Sequence, residues 1–464
     1  MAVITRYISY FIIAALLACG VWGCDRFDTD EPDSDDGEKY MLLLHVLPID
    51  ATRSETDAAP KVTERIASLR IIVLSVPEAD ADGTTAAVPK IEHNRLISGG
   101  DLKETTAKGF EYSVALPTTQ GKKDVYLIAN EASVGTLYGL DDASGQQTYS
   151  SLSAFLKSYE PGDGQTPDAE KFKAAVEAIY FEPKYTIDDQ NAVYLPYTSY
   201  YRVEAVEKEQ KENKLTMYLV PVATKFTFKF VNKRDDDVKV SKISVKGTDT
   251  HNFLLAHVGE EDYQKDFDNG DGTKTPLYWV DWLAKVSEAT HNSPDNPDNA
   301  EVNKKYGWIS DYKMPEKSIN RETVLFISDI NNAEIVPAQQ KDSAGEDIPG
   351  VKILGPYYRP EGLRNEEGTD NEGNAVVYPH VYRLTLGLTG KNGEGPEFED
   401  VAIDRLHALF RNTSVHITVT MTSGDVEVYA EIADWNRHYA NGWVNNGDDS
   451  PYVDPDSPSG SNAN

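Results

Sequence analysis

The chain has 464 residues, of which 45 are basic and 76 acidic, so its formal net charge is −31. This length favours two or three domains over one. Hydrophobic residues make up 40% of the chain, which is enough to build cores and excludes wholesale disorder. The surplus of carboxylates repels phosphate backbones, so nucleic acid is excluded as a partner.

The amino-terminal segment has the pattern of an export signal with a lipid anchor. Arg6 precedes an apolar run that is too short for a stable transmembrane helix and has the length of a signal peptide. The residues before Cys24 resemble a lipobox, and those before Cys19 form a second, competing one. We favour Cys24 because an acidic tether, residues 24–39, begins there. The sequence therefore predicts a lipoprotein signal peptide at 1–23 and acyl chains, such as palmitate, on Cys24.

The acidic residues behind Cys24 also resemble the surface-export signal of Bacteroidetes lipoproteins. The alternative interpretation is a charged linker without an address. Cys19 and Cys24 are the only cysteines, so a disulfide framework or a cysteine nucleophile in the body of the protein is excluded.

A nearly continuous apolar run predicts the first strand, and such runs are usually buried on both faces. The run consists of Tyr40, Met41, Leu42, Leu43, Leu44, His45, Val46 and Leu47. Residues 50–61 are polar and are predicted to be a flexible hinge, with Arg53 and Ser54 near its start. Order is predicted to resume at Val62–Ile66 and Leu69–Leu74. The predicted first strand is therefore joined to the rest of the chain by a segment that a protease can cut.

The rest of the chain has mainly β patterns. Alternation predicts a strand at Phe110–Leu116 with Asp124–Ala129 as its neighbour, and helical spacing predicts two short helices, Leu152–Tyr159 and Ala169–Tyr180. Further strands are predicted at 215–220, 226–231, 238–246, 381–388, 415–421 and 426–433. We place an N-terminal β domain at 40–214, a C-terminal β domain at 215–444 and a disordered tail at 445–464.

No motif of a common enzyme class is present, and we assign no catalytic residue, cofactor or metal site. The nine histidines are scattered, and His416 in an alternating strand is better explained by packing than by metal ligation. The segment Asp266–Gly272 resembles a calcium loop, but its oxygen ligands are out of register, which favours a plain turn. The sequence therefore predicts a protein that is not an enzyme.

The order of anchor, tether, apolar strand and hinge suggests a mechanism. Cleavage after Arg53 by an arginine-specific protease would free the chain from its lipid and cut the covalent link to the removable strand, Tyr40–Leu47. If that strand left, an extended segment of another subunit could fill the apolar groove. The alternative is that Tyr40–Leu47 is a permanent strand and Arg53 an ordinary loop residue.

Several segments resemble the fimbrillin family, the subunits of Bacteroidales type V pili. These segments are Tyr40–Val46, Ala51–Ser54, Glu64–Val73, Lys123–Glu131, Arg411–Val419 and Val426–Trp435. The resemblance implies two transthyretin-like β-sandwich domains, lipoprotein export to the outer membrane, cleavage after Arg53 and polymerisation with other fimbrial subunits by donor-strand exchange into adhesive fimbriae. It also implies a host protein or glycan as ligand.

One feature departs from the shaft subunits of that family. Their chain stops near the Trp-containing strand, whereas this chain continues from Trp435 to Asn464. The charged tail suggests a tip or accessory subunit, which accepts a strand without having to donate one.

Two alternatives stay open. A lipid-retained anchor subunit of the same pilus would share every feature except cleavage. A monomeric surface glycan-binding lipoprotein would use aromatic side chains such as Trp308, Tyr357 and Tyr358 as sugar platforms.

Overall fold

The computed structural model describes part of the chain. The described residues are 40–48, 64–76, 88–99, 102, 110–139, 149–162, 166–182, 187–188, 191–192, 194–206, 215–248, 251–256, 264–268, 274–278, 321–329, 331–363, 365–369, 375–379, 382–390, 397–403, 408–409 and 411–434. Predictions for the signal peptide, the tether, the hinge at 50–61 and the tail at 445–464 lie outside these residues.

The first half of the chain contains eleven of the described strands together with both described α-helices. Its strands are β1 (Tyr40–Pro48), β2 (Ser68–Ser75), β3 (Lys90–Ser98), β4 (Tyr112–Thr118), β5 (Gly121–Ala129), β6 (Leu137–Tyr138), β7 (Tyr180–Phe181), β8 (Ile187–Asp188), β9 (Asn191–Ala192), β10 (Tyr197–Val206) and β11 (Leu215–Pro221). The helices are α1 (Leu152–Lys157) and α2 (Ala169–Ala178). Among the described residues, neither helix has the length and apolarity to span a membrane.

The second half contains strands alone among its described elements. They are β12 (Thr224–Asn232), β13 (Val238–Thr248), β14 (Asn252–Phe253), β15 (Gln264–Asp268), β16 (Lys274–Tyr278), β17 (Arg321–Ile327), β18 (Glu334–Val336), β19 (Gln340–Lys341), β20 (Asp347–Ile348), β21 (Gly350–Arg359), β22 (Gly362–Leu363), β23 (Asn365–Thr369), β24 (Ala375–Pro379), β25 (Arg383–Thr389), β26 (Glu397–Ala402), β27 (Ala408–Leu409), β28 (Thr413–Met421) and β29 (Val426–Asp434). The prediction of a mainly β protein with a few short helices is confirmed.

Seven strands of the first half form one sheet in the order β3-β2-β5-β10-β11-β1-β4. β10 and β11 pair through only two residue pairs, Tyr197 with Pro221 and Thr198 with Val220, and beyond them β11 pairs with β1 instead. The strands on both sides of this junction send alternate side chains into one apolar core, including Leu44 from one side and Leu127 from the other. The sheet therefore folds over itself as a sandwich.

The two helices cover the outer face of β2 and β5. Ile72 and Tyr126 point away from the sandwich core and join Phe155 of α1 and Phe172 of α2 in a second apolar cluster. Each helix begins at a side-chain cap, because Ser151 accepts a hydrogen bond from Ala154 N at 3.1 Å and Asp168 accepts one from Lys171 N at 3.0 Å. These strands are therefore buried on both faces.

The second half forms another sandwich. A sheet in the order β21-β12-β28-β29 faces a sheet in the order β17-β13-β25-β26. Phe226, Phe228 and Phe230 of β12 pack with residues of β13 and β25 in a single apolar core between the two sheets. The chain is thus built around two sandwiches, as a mainly β protein with two domains would be.

Three details differ from the sequence predictions. β4 does not pair with β5, its predicted neighbour; the short turn after Thr118 instead crosses from one layer of the sandwich to the other. β11 belongs to the first sandwich, so strand pairing changes after Pro221 and not at residue 214. Asp266–Asp268, the start of the segment interpreted as a plain turn, belongs to β15, which forms a hairpin with β16. The other domain limits stay a prediction.

Candidate functional site

The first strand occupies an interior position in its sheet. β1 pairs in parallel with β11, from Leu44 opposite Leu215 to Pro48 opposite Leu219. On its other edge it pairs antiparallel with β4, along the whole of Tyr40–Val46. β1 therefore separates β11 from β4, and its removal would leave a slot with backbone donors and acceptors on both walls.

β1 is buried on one face only. Leu42, Leu44 and Val46 are 1%, 0% and 0% exposed. The opposite face is only half-buried, and it carries Met41, Leu43, His45 and Leu47. The prediction that this run is buried on both faces is wrong for these four residues, because neither α1 nor α2, the helices of the described part of the chain, covers this outer face as they cover that of β2. Burial of the three inward side chains contributes about 5–9 kcal/mol, at about 1.5–3 kcal/mol each.

The polar contacts of β1 lie near the surface. His45 Nδ1 is 3.0 Å from Ser113 Oγ of β4, and its Nε2 is 3.3 Å from Glu111 Oε1. Tyr40 donates to Gln120 Oε1 at 3.3 Å. The His45 side chain is 21% exposed and that of Glu111 is 35% exposed. Within the described part of the chain, β1 thus contributes no buried ion pair, and its departure would strand no buried charge.

Glu64, the first described residue after β1, is held by three hydrogen bonds. Glu64 Oε1 accepts hydrogen bonds from Lys225 Nζ at 3.0 Å and from Tyr358 OH at 2.9 Å. Tyr197 OH donates to the Glu64 carbonyl oxygen at 2.8 Å. The Glu64 and Lys225 side chains are 9% and 7% exposed. This anchor ties the start of the β2 segment to β12 and β21 of the second sandwich.

A second buried network joins the two halves of the chain. The Arg411 and Glu361 side chains, 0% and 1% exposed, form an ion pair. Arg411 Nη2 also donates to the Phe253 carbonyl at 2.8 Å, and Arg411 Nη1 lies 3.4 Å from Thr198 Oγ1 of β10. Sequence reasoning noted Arg411 and Glu64 only as members of resembling segments and missed Glu361. Their partners are too distant in sequence for local periodicity to reveal.

The predicted site residues fall in different places. The predicted removable strand lies entirely in β1, which contains Tyr40, Met41, Leu42, Leu43, Leu44, His45, Val46 and Leu47. Whether that strand leaves the sheet stays a prediction. Cys24, Cys19, Arg53 and Ser54 lie outside the described residues, so lipidation and cleavage stay predictions as well.

The sequence analysis favoured packing over metal ligation for His416 and assigned no metal site. His416 is buried in β28, between Thr227 and Glu431 of the neighbouring strands. This position is the packed one that the alternating pattern favours. In the part of the chain that the structure describes, no group of His, Cys, Asp and Glu side chains could hold a metal ion.

Two of the three aromatic residues named for glycan binding, Tyr357 and Tyr358, are described, and neither side chain is fully exposed. Tyr358 is 2% exposed and its hydroxyl is bound to Glu64. Tyr357 is half-buried, packs on Phe228 with 6.0 Å between ring centroids, and has its pKa raised to about 12 by burial and by Glu334. Trp308 lies outside the described residues. The suggestion that Tyr357 and Tyr358 present a sugar platform is therefore wrong for Tyr358, whose ring faces the core.

Comparison with known proteins gave matches among solved structures. No protein-family model and no curated protein sequence matches the chain. A tip fimbrial protein, Mfa3, from Porphyromonas gingivalis has 12% identity, with 86% of this chain and 100% of that chain covered and a TM-score of 0.40. A fimbrial assembly protein from Parabacteroides distasonis has 12% identity, with coverages of 86% and 99% and a TM-score of 0.36.

Both of these structures are fimbrial proteins, the class that the sequence resemblance indicates. Since their identities are 12% and their TM-scores lie below 0.5, the similarity alone establishes no shared function. The class that the chain's own geometry defines is a mainly β protein with two sandwiches, whose N-terminal strand fills an interior place in the first.

Proposed function

We propose that this chain is an adhesive subunit of a cell-surface fimbrium. In this proposal it is exported as a lipoprotein with acyl chains on Cys24, which hold it at the outer membrane. It is then cleaved after Arg53 and assembles with other subunits when a strand of a neighbouring subunit replaces β1. The observation that carries the proposal is the position of β1: it is interior in the sheet, apolar on its core face and free of buried ion pairs among the described residues.

The physical argument follows from what cleavage would change. With the chain cut after Arg53, β1 would be held only by its backbone ladders and its three buried side chains. Its loss would expose apolar core and two unpaired strand edges, a state that favours addition of another strand. A replacement strand needs apolar residues at the alternate positions of Leu42, Leu44 and Val46, which many sequences can supply.

The contacts of Glu64 would hold the start of the β2 segment in place after cleavage. Cleavage after Arg53 leaves about ten residues before Glu64, whose bonds to Lys225 and Tyr358 do not involve β1. Release of β1 therefore need not loosen β2. A tip or accessory position, suggested by the tail after Trp435, and a ligand on a host protein or glycan belong to the same proposal.

Limited digestion tests the proposal. The folded, lipid-free protein is treated with an arginine-specific protease and analysed by N-terminal sequencing and size-exclusion chromatography. We expect a product that begins at Ser54, with β1 bound non-covalently until a labelled peptide of the β1 sequence displaces it. Arg53→Ala is the matched control and should resist this cut.

The results separate shaft, tip and anchor roles. Polymers formed from the cleaved product would indicate a shaft subunit, and a cleaved monomer that takes up the peptide would indicate a tip subunit. Resistance of the Arg53–Ser54 bond while other arginines are cut would contradict cleavage and favour the lipid-retained anchor.

A further inference from the structure

The slot that β1 would leave lies between β4 and β11, and β4 has fewer strand partners than β11. β4 lies at the end of the seven-stranded order, and β1 is its strand partner there. β3 lies at the opposite end of the same order. Removal of β1 would take away the backbone ladder of β4, so other contacts must hold β4 if the slot is to persist.

A β-bulge in β3 turns two consecutive side chains toward β4. Val73 pairs with His93 and Leu74 pairs with Ile91, so Glu92 is an extra residue without a partner in β2. Asn94 and Ile91 consequently both lie on the helix-covered face although they are three residues apart, Asn94 donating to the Leu156 carbonyl and Ile91 packing in the helix-side cluster. Glu92 and His93 therefore both point away from the helices.

These two side chains bind the end of β4. The Glu92 carboxylate accepts hydrogen bonds from the hydroxyls of Thr118 and Thr119 and from Thr119 N, the last at 3.3 Å. His93 Nε2 lies 2.5 Å from the Pro117 carbonyl oxygen. Since a carbonyl oxygen only accepts, Nε2 carries the proton in this contact.

A buried lysine completes the group. Lys123 Nζ donates to Glu92 Oε1 at 2.9 Å, to Thr119 Oγ1 at 2.6 Å and to the Gln120 carbonyl at 3.4 Å. The Lys123 and Glu92 side chains are 0% and 11% exposed, so water screens this ion pair only weakly. The contacts join the two ends of the sheet without a backbone ladder between β3 and β4.

We propose that Glu92, His93 and Lys123 form a clasp that keeps β4 in place when β1 leaves, so that the slot between β4 and β11 stays ready for an incoming strand. This inference rests on the proposed function, because it assumes that β1 can be replaced. The hydrogen bonds of the three residues run to the end of β4 and the turn after it, so they act by positioning β4. A preformed wall lowers the ordering cost that binding must meet.

Peptide binding to the cleaved protein tests the clasp. The full chain is cut after Arg53, and binding of a fluorescent peptide of the sequence Tyr40–Pro48 is measured for the wild type, Glu92→Ala and a Thr118→Val/Thr119→Val double variant. We expect the Kd to rise about tenfold or more in both variants, as loss of charge-assisted hydrogen bonds predicts. Glu334→Ala, which breaks the half-exposed pair with Lys352 at 2.8 Å in the second sandwich, should leave the Kd unchanged.

Hydrogen exchange gives a readout that a general loss of stability would not reproduce. In cleaved protein freed of β1, the amides of β4 should exchange faster in the clasp variants than in the wild type, while those of β2 and β5 should not change. Equal Kd values and equal protection of β4 would overturn the clasp. A wild-type protein that takes up no peptide would overturn the proposed function itself, and the clasp with it. If Glu92→Ala does not fold, the double threonine variant decides the question.

Discussion

β1 and β2 are consecutive apolar strands of one sheet, yet the protein holds them by different means. β1 buries alternate side chains and keeps His45 and Tyr40 near the surface. β2 buries all of Leu69–Leu74, with one face on the sandwich core and the other under the helices. One strand has a single buried face and the other has two.

The contrast extends to charge. Arg70 in the middle of β2 is 2% exposed and donates to Glu131 Oε2 at 2.7 Å, to Glu160 Oε1 at 2.8 Å and to Asn94 Oδ1 at 2.8 Å. Burial lowers the pKa of Arg70, but the hydrogen bonds and charges of Glu131 and Glu160 outweigh it and raise the pKa overall. If β2 left the sheet, it would strand a buried carboxylate, a cost that β1 avoids. The proposed replacement of β1 thus requires apolar contacts that other sequences can reproduce.

The largest effect should come from breaking the charge network of β2. We expect Arg70→Met to lower the free energy of unfolding by about 3–5 kcal/mol, because Glu131 is left buried without its main partner. Guanidinium denaturation measures the change. Arg383→Met is the matched control, since the Arg383 and Asp400 side chains are 45% and 44% exposed and such pairs contribute about 0–1 kcal/mol. Equal losses in the two variants would show that the buried network does not fix β2.

The core face of β1 should give the next largest effect. Leu44 is fully buried, so Leu44→Ala should cost about 2–4 kcal/mol in the intact chain. In protein cut after Arg53, the same variant should release β1 at least about thirtyfold more readily, as about 2 kcal/mol implies. Leu43→Ala, on the half-buried outer face, is the control and should change both quantities much less. Similar losses in both variants would mean that β1 is held on two faces, as β2 is.

The sequence predicted the positions of β1, β2 and the two helices, but not which of the two strands the helices cover. Apolar runs located β1 and β2 within a residue or two, and helical spacing located α1 and α2. It did not show that helices cover β2 and not β1, because that depends on which sheet face receives residues 152–178. The run interrupted by Arg70 is buried on both faces, whereas the more continuous run of β1 leaves Met41 and Leu43 half-buried.

The sequence also did not predict which strands pair when they lie far apart along the chain. β4 and β5 are joined by a short turn and have the pattern of a hairpin, but β4 pairs with β1, about 70 residues away in sequence. The bulge at Glu92 and the anchor at Glu64 depend on partners from distant elements, which leave no periodic signal. Cys24 and the Arg53–Ser54 bond remain predictions from motif and position.

The smallest effect should come from the polar contacts of β1. His45 bridges Ser113 and Glu111 at the partly exposed face of the strand. We expect His45→Gln to change the free energy of β1 retention in the cleaved protein by less than about 1 kcal/mol, as for other surface pairs. A double-mutant cycle with Glu111→Gln measures the coupling directly. Coupling above about 2 kcal/mol would mean that a specific polar contact secures β1, and a replacement strand would then have to carry a histidine at the same register. Weak coupling would leave the buried positions of Leu42, Leu44 and Val46 as the features that select an incoming strand.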